Sequence, residues 1–230
     1  MKKARSVLTG LEFADKIIPT GRYLEKGGIN NQMQQRSEET RAHILRAAQK
    51  LFAQNGYDAT GVAEICAAAG VSKGAFYHHF PTKQVLFLEL LKTWLSGLDT
   101  QMNAVVEGPH NVPQTLIDMA GMMQNVFQVA NEQLPMFLEF WTQSSRDPVV
   151  WQTTIAPYRR YQTFFTALVQ NGVDEGSLKA VDPEAAARLI LAMAVGLLFQ
   201  SLLDPQGANW ENMTKQSMQL LMNGLAKEEL

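Results

Sequence analysis

Apolar residues recur every three or four positions along most of the chain, which is the period of an amphipathic helix. The first sustained segment places four apolar residues on one helical face: Ile44, Ala48, Leu51 and Phe52. Ser37 is a suitable N-cap for this helix, and Asn55-Gly56 is a suitable end. We therefore predict a first helix that starts after Ser37 and stops at Asn55.

Two short apolar segments follow, and a glycine-containing turn separates them. Residues 62–69 have one apolar face, Gly70-Val71-Ser72 forms the turn, and residues 73–80 continue as a third helix. Two short helices joined by such a turn are the skeleton of a helix-turn-helix. Phe76 and Phe80 are expected to hold the third helix against the second.

A long fourth helix is predicted because apolar residues recur every three or four positions: Leu88, Leu91, Leu95, Leu98, Met102 and Val105. This helix, residues 84–108, is expected to connect two parts of the protein. Beyond it, the pattern predicts helices near 113–131, 134–145, 148–171, 183–203 and 209–226. Because no strand-like alternation interrupts these segments, we predict an all-α protein, with a three-helix module over 37–83 and a larger helical domain over 109–230.

Charge is distributed unevenly along the chain, although the formal net charge is only −2. Residues 1–83 hold 12 Lys and Arg against 7 Asp and Glu, whereas residues 84–230 hold 8 against 15. A polyanionic partner is therefore expected to contact the N-terminal third of the chain.

The N-terminal module contains two stretches that form a specific motif. They are Ala59-Thr60-Gly61-Val62-Ala63-Glu64-Ile65 and Ala68-Ala69-Gly70-Val71-Ser72-Lys73-Gly74-Ala75-Phe76-Tyr77-His78-His79-Phe80. Followed by Lys83, they closely resemble the DNA-binding domain of TetR-family transcriptional regulators. The resemblance covers residues 38–98, with the motif at 61–80, and is only architectural over 110–230.

The resemblance implies an N-terminal DNA-binding domain and a C-terminal ligand-binding and dimerisation domain. It implies contacts to the DNA backbone from Thr60, Tyr77, His78 and Lys83. It places four residues where base and near-base contacts form: Ser72, Lys73, Gly74 and Ala75. Gly61 departs from the pattern, because many relatives carry Ser or Thr there, and Glu64 keeps only its own half of a capping box.

Residues 1–36 lack a sustained apolar period and contain Gly27-Gly28, so we predict a disordered extension there. Met33 lies just before the first predicted helix and is a candidate for the natural start, with residues 1–32 as an upstream extension. The alternative is an arm that contacts the DNA minor groove.

Bulky, polarisable side chains are concentrated in the C-terminal domain. The candidates for lining an effector cavity are Met122, Met123, Phe127, Phe137, Trp141, Trp151, Tyr158 and Tyr161. Methionine and aromatic side chains suit an adaptable apolar cavity, although each of them also serves as ordinary core. Arg159-Arg160 could neutralise an acidic effector, but such a pair on a helix more often faces solvent.

Residues 189–203 are apolar on nearly every side, which a surface helix of a monomer does not satisfy. Gln200 and Ser201 interrupt the run, so we do not interpret it as a membrane span. We predict that it pairs with the last helix and with a second copy of both. The interface candidates are Ala192, Val195, Gly196, Phe199, Met218, Leu221 and Met222.

Residue types for catalysis and metal binding are sparse. The C-terminal domain has no Gly-x-Ser-x-Gly elbow, and His110 is its only histidine. His78 and His79 point about 100° apart on a helix, with no third ligand nearby. Cys66 is the only cysteine, which excludes an internal disulfide and fits a reducing cytoplasm. We predict no metal, no cofactor and no enzyme activity.

The sequence therefore favours a cytoplasmic homodimer that binds a double-stranded DNA operator and represses transcription. In this hypothesis a small, largely apolar effector enters the helices of residues 110–180 and changes the separation of two recognition helices that stand about 34 Å apart. A ligand-independent regulator or an activator of the same fold is the alternative. A helical enzyme is a remote alternative.

Overall fold

The computed structural model describes residues 29–227, and within them the side chains of residues 33–123, 127 and 136–227. Nine α-helices occupy this part of the chain: α1 Ile29–Asn55, α2 Val62–Ala69, α3 Lys73–His79, α4 Lys83–Val106, α5 Val112–Gly121, α6 Met123–Ser144, α7 Pro148–Asp174, α8 Pro183–Leu203 and α9 Trp210–Leu225. The only β pairing in the described residues is an isolated bridge between Leu178 and Ala226. The predicted all-α fold is confirmed.

Helix starts follow the side-chain caps that the sequence offers. The Asp147 carboxylate accepts hydrogen bonds from the N–H groups of Val149 and Val150, and Asp182 does the same at the start of α8. Proline occupies the first position of both helices, where its missing N–H costs nothing. These two predicted starts are confirmed.

The first helix begins earlier than predicted. α1 starts at Ile29, so residues 29–36 are helical and Ser37 lies inside the helix. The Thr40 hydroxyl donates to the carbonyl of Arg36 at 2.8 Å across the expected boundary. Glutamine, methionine and arginine dominate residues 32–36 and favour helix, so the cap signal of Ser37 is overridden. The calls on residues 1–28 lie outside the described residues.

The predicted break near residues 131–134 is also wrong. α6 is continuous from Met123 to Ser144, and the break falls instead at Gly121-Met122. There the N–H of Met122 donates to the carbonyl of Met119 at 3.1 Å, which closes the end of α5. Glycine lowers helix propensity at this position, and apolar periodicity alone does not locate such an interruption.

The described chain divides into two compact units. The helix-turn-helix unit comprises residues 29–95 and 135–146, and the C-terminal unit comprises residues 96–134 and 147–227. The connecting helix predicted over 84–108 corresponds to α4, Lys83–Val106, and the division between the two compact units falls inside this helix rather than at its ends. The division passes through α4 and α6, which sequence punctuation cannot reveal because neither helix breaks there.

An aromatic cluster forms much of the helix-turn-helix unit's core. The rings of Phe87 and Phe140 stack with their centroids 4.1 Å apart, and Tyr57 meets both rings edge-on. Phe52 packs against Tyr57 and Phe87. Because Phe140 comes from α6, a distant segment of sequence completes the core beneath α1 and α4.

The C-terminal unit has its own apolar core, in which α5, α7, α8 and α9 pack together. Its fully buried members include Val112, Leu116, Phe164, Leu168 and Leu178. Gly172 allows close packing here, since a Cβ at this position would lie 2.6 Å from Leu178 Cδ1.

Candidate nucleic-acid interface

The turn between α2 and α3 is closed by main-chain bonds that need a left-handed residue. Gly70 has φ +66°, and the N–H of Val71 donates to the carbonyl of Cys66 at 3.0 Å. Glycine adopts this conformation without the steric cost that a Cβ would bring. The predicted helix-turn-helix is therefore built as the sequence indicated.

Helix α3 divides its side chains between core and surface. The Ser72 hydroxyl oxygen caps the helix by accepting from the N–H of Ala75 at 3.1 Å. Phe76 and Phe80 are buried, as predicted. The predicted contact residues lie at the accessible side: Ser72, Lys73, Gly74, Tyr77 and His78 are exposed, and Ala75 is half-buried. Their individual DNA contacts stay predictions.

Thr60 is not available for the DNA contact that the resemblance implied. The residue is fully buried, and its hydroxyl donates to the carbonyl of Gly56 at 2.8 Å. A second carbonyl, that of Leu51, lies 3.3 Å from the same hydroxyl. Thr60 thus satisfies carbonyl groups at the end of α1, a role that its position in the motif does not disclose.

Lys83, for which the resemblance implied a contact to the DNA backbone, is half-buried and binds main-chain groups of its own unit, and its DNA contact stays a prediction. Its ammonium donates to the carbonyls of Tyr57 at 2.8 Å and Thr60 at 3.0 Å, and it lies 4.3 Å from the centroid of the Tyr57 ring. Burial lowers the pKa of Lys83, while the neighbouring Asp58 and Glu139 oppose that shift. The ammonium is therefore engaged by the α1–α2 turn, residues 56–60.

Glu139 is a residue of this region that the sequence analysis did not single out. Its carboxylate accepts hydrogen bonds from the N–H groups of Tyr57 at 2.8 Å and Asp58 at 2.7 Å. Glu139 lies on α6, about eighty positions after the turn it binds. No local sequence signal connects the two segments, because the pairing depends on how α6 packs.

The start of α2 has only half of a capping box, as predicted. Glu64 accepts from the N–H of Gly61 at 2.8 Å, whereas glycine has no side chain that could cap the N–H groups of α2. The conformation of Gly61 is extended, with φ −88°. The entry to α2 therefore depends more on the preceding turn than in a helix with a hydroxyl cap.

The candidate effector residues do not fall into one unit. Phe137 and Trp141 belong to the helix-turn-helix unit, where Phe137 is buried against Phe87 and Trp94. Their assignment to an effector cavity of the C-terminal unit is corrected, because Phe137 is buried in the core of the helix-turn-helix unit and Trp141 is 39% exposed on that unit. The candidates within the C-terminal unit are Met122, Met123, Phe127, Trp151, Tyr158 and Tyr161.

Tyr161 belongs to a polar cluster in the C-terminal unit. Its hydroxyl donates to Asp99 at 2.6 Å, and the guanidinium of Arg160 lies 2.7 Å from the same carboxylate. Burial, and then the bond to Asp99, raise the pKa of the Tyr161 phenol. Arg160 is thus paired inside the protein, while Arg159 binds Gln152 at the surface.

The interface candidates on α8 and α9 differ in accessibility. On α8, Ala192, Val195 and Phe199 are exposed and Gly196 is half-buried. On α9, Met218 is 4% exposed and Met222 is 2% exposed, and both belong to the core of their own unit, with Leu221 packed against it. Met218 and Met222 are therefore corrected to core residues, since α9 turns this side towards α5.

Within the described residues, α8 is the one helix whose length and composition would allow it to cross a membrane, with a mean hydropathy of 1.9 over its most apolar window. One such helix is weak support for a span, because core helices of soluble proteins share these properties.

Two segments of the chain match known families. Residues 44–90 match the family described as "Bacterial regulatory proteins, tetR family", and residues 122–226 match "BetI-type transcriptional repressor, C-terminal". The HTH-type transcriptional regulator UidR of Escherichia coli K12 is 23% identical over 167 residues, which are 72% of this chain and 83% of UidR.

Solved structures have the same fold. A putative transcriptional regulator from Saccharomonospora viridis in complex with choline has a TM-score of 0.71 and 20% identity, covering 83% of this chain and 100% of that chain. FadR from Bacillus subtilis in complex with stearoyl-CoA has a TM-score of 0.67 and 18% identity, covering 80% and 98%. With the two family matches, which together span more than half of the sequence, the helix-turn-helix shows that this chain belongs to the TetR family of DNA-binding transcriptional regulators.

Proposed function

We infer that the protein is a homodimeric repressor that binds a near-palindromic operator and leaves it when a small, largely apolar effector binds. The observation that carries this inference is the outward face of α8. Its exposed apolar residues recur at helical spacing: Leu189, Ala192, Val195, Phe199 and Leu203. Val195 is 50% and Phe199 43% exposed in the single chain, and a twin subunit would cover them.

A dimer also matches the size of the recognition element. α3 has only seven residues, so one copy offers few base contacts. Two copies related by a two-fold axis present two such helices to successive major grooves of a palindrome. Once one recognition helix is bound, the second binds the same DNA molecule at a high effective concentration, which increases the affinity of the dimer. We propose a cytoplasmic location, because the proposed operator is DNA inside the cell.

The C-terminal unit is the proposed site of the effector. Four buried polar side-chain atoms in it have no protein partner among the described residues: Asn103 Oδ1, Thr115 Oγ1, Arg160 Nε and Asn171 Nδ2. Such atoms cost free energy unless a ligand or water satisfies them. Relatives of this fold bind choline and stearoyl-CoA, so the family accommodates both a quaternary ammonium and an acyl chain.

The dimer is tested by a substitution that introduces a negative charge into its proposed interface. Val195→Asp should yield a monomer in sedimentation velocity, whereas Gln101→Asp, at an exposed polar position on α4, should remain dimeric. A Val195→Asp protein that sediments as a dimer would refute this interface.

Repression and release are tested on an operator fragment selected from random DNA with the wild-type protein. Lys73→Ala should lower affinity at least about tenfold while the dimer persists, and Lys215→Ala on α9 is the matched control. Choline and stearoyl-CoA are the first effector probes, read by thermal shift and by release of DNA. Because a ligand acts only through different affinities for two states, a probe that stabilises the protein without releasing DNA would favour the ligand-independent alternative. A reporter whose expression falls when the protein is absent would favour an activator.

A further inference from the structure

We propose that Glu139 is a positioning residue for operator binding, because its carboxylate sets the conformation of the α1–α2 turn that leads into the helix-turn-helix. The claim concerns DNA binding itself and does not depend on dimerisation or on an effector. It assigns a role to a residue outside both motif stretches, on a helix that begins in the other unit.

The carboxylate contacts the turn with both oxygens. One oxygen accepts from the N–H of Tyr57 at 2.8 Å, and the other accepts from the N–H of Asp58 at 2.7 Å. Gly56 has φ +83°, and a Cβ built there would lie 2.7 Å from the nearer carboxylate oxygen. The carboxylate therefore occupies the side of the turn that glycine leaves open. Hydrogen bonds to an ionised acceptor are stronger than neutral ones, so this pair fixes the turn more firmly than a neutral side chain would.

The opposite charge binds the carbonyl groups of the same turn. The Lys83 ammonium donates hydrogen bonds to the carbonyls of Tyr57 and Thr60, while the Glu139 carboxylate accepts from the N–H groups. The buried Thr60 hydroxyl adds a bond to the Gly56 carbonyl. The main chain of residues 56–60 is thus held by an anion, a cation and a hydroxyl, each acting on different groups.

The residue after this turn, Gly61, connects the conformation of the turn with DNA binding. Gly61 comes directly after Thr60 and is the N-cap of α2, yet it offers no side-chain cap. The direction in which α2 leaves the turn therefore depends on the contacts of residues 56–60, together with the packing of Ile65 and Cys66. α2 in turn carries the turn and α3, whose exposed residues face DNA.

A purely structural role for Glu139 would have a different signature. The apolar core beneath the turn, formed by Tyr57, Phe87 and Phe140, remains complete without the carboxylate. Glu139 is half-buried, and its two hydrogen bonds go to main-chain N–H groups of the turn rather than to the aromatic core. We therefore expect its loss to affect operator affinity more than the free energy of unfolding.

The test compares Glu139→Ala and Glu139→Gln with Gln143→Ala, one turn further along α6. Operator affinity is measured by fluorescence anisotropy on the selected fragment, and the free energy of unfolding is measured in urea. Glu139→Ala should weaken binding by about tenfold and Glu139→Gln by less, because the amide keeps one acceptor oxygen. Amide hydrogen exchange should accelerate at Tyr57 and Asp58 in Glu139→Ala.

Restoring a side-chain cap at position 61 should partly rescue operator affinity in Glu139→Ala. A purely structural role of Glu139 would not predict this rescue. Gly61→Ser restores a hydroxyl at the start of α2, and the space permits it, since the nearest atom to a new Cβ is Glu64 Oε2 at 3.7 Å. Its gain in operator affinity should be larger in the Glu139→Ala background than in the wild type. Equal gains in the two backgrounds, or an affinity of Glu139→Ala no lower than that of Gln143→Ala, would overturn the proposal.

Discussion

The helix-turn-helix unit and the C-terminal unit differ in how completely the buried polar atoms of their described residues are bonded. In the first, Thr60, Lys83 and Glu139 all bind main-chain groups of one turn. In the second, Arg160 and Tyr161 bind the carboxylate of Asp99, a bond between side chains, and the four buried polar atoms without a described protein partner all lie there. Main-chain anchoring holds a single backbone geometry, which reading DNA requires. The four unpartnered atoms of the C-terminal unit cost free energy unless water or a ligand satisfies them.

The largest expected effect tests whether residues 135–146 belong to the helix-turn-helix unit. Phe140→Ala removes a buried ring that stacks on Phe87, so the free energy of unfolding should fall by about 3–5 kcal/mol. Urea unfolding measures this loss, and hydrogen exchange should accelerate at Ile44 and Ile65. Trp141→Ala is the matched control, because that ring is 39% exposed. Unchanged exchange in α1 and α2 would contradict the division between the units.

A smaller effect is expected in the polar cluster of the C-terminal unit. Tyr161→Phe deletes the hydroxyl that donates to Asp99, and the free energy of unfolding should fall by about 1–3 kcal/mol. Tyr158→Phe, at an exposed tyrosine on the same helix, is the control and should change stability little. A Tyr161→Phe protein as stable as wild type would contradict a stabilising role for the bond between Tyr161 and Asp99.

The smallest effect concerns pH and the end of α3. Burial first, and then His78 and Arg41, lower the pKa of His79 below its ordinary 6.5. The folded protein then binds fewer protons at this site than the unfolded chain, so the stability contribution is complete above pH 6.5 and is lost as pH falls through the folded pKa. His79→Gln should reduce the stability lost between about pH 7.5 and about pH 5 in urea unfolding. If the free energy of unfolding of wild type and of His79→Gln changes equally with pH, His79 does not contribute to the pH dependence of stability.

The contrast between the units also shows which residues a sequence reveals. The helix-turn-helix was predictable because its signals act within four residues: Ser72 caps Ala75, Gly70 closes α2, and Glu64 reaches Gly61. The same holds for the starts of α7 and α8. These interactions form wherever the local pattern occurs, so spacing alone predicts them.

The partners of individual side chains were less predictable. Family resemblance implied DNA contacts for Thr60 and Lys83, but the structure buries Thr60, and both side chains bind main-chain groups of the α1–α2 turn. Phe137 and Met218 were expected in a cavity and an interface, yet both are buried in cores. An apolar residue on a helix has several possible neighbours, and only the packing of the other helices selects among them.

By itself, the sequence determined the all-α architecture, the helix-turn-helix and the surface that α3 presents, because short-range capping and apolar periodicity specify them. The tertiary structure decided the division of α4 and α6 between two units and the meeting of Glu139 with the turn at residues 56–60. Those features join segments that are distant in sequence, and their geometry follows from the packing of aromatic rings that no local pattern encodes.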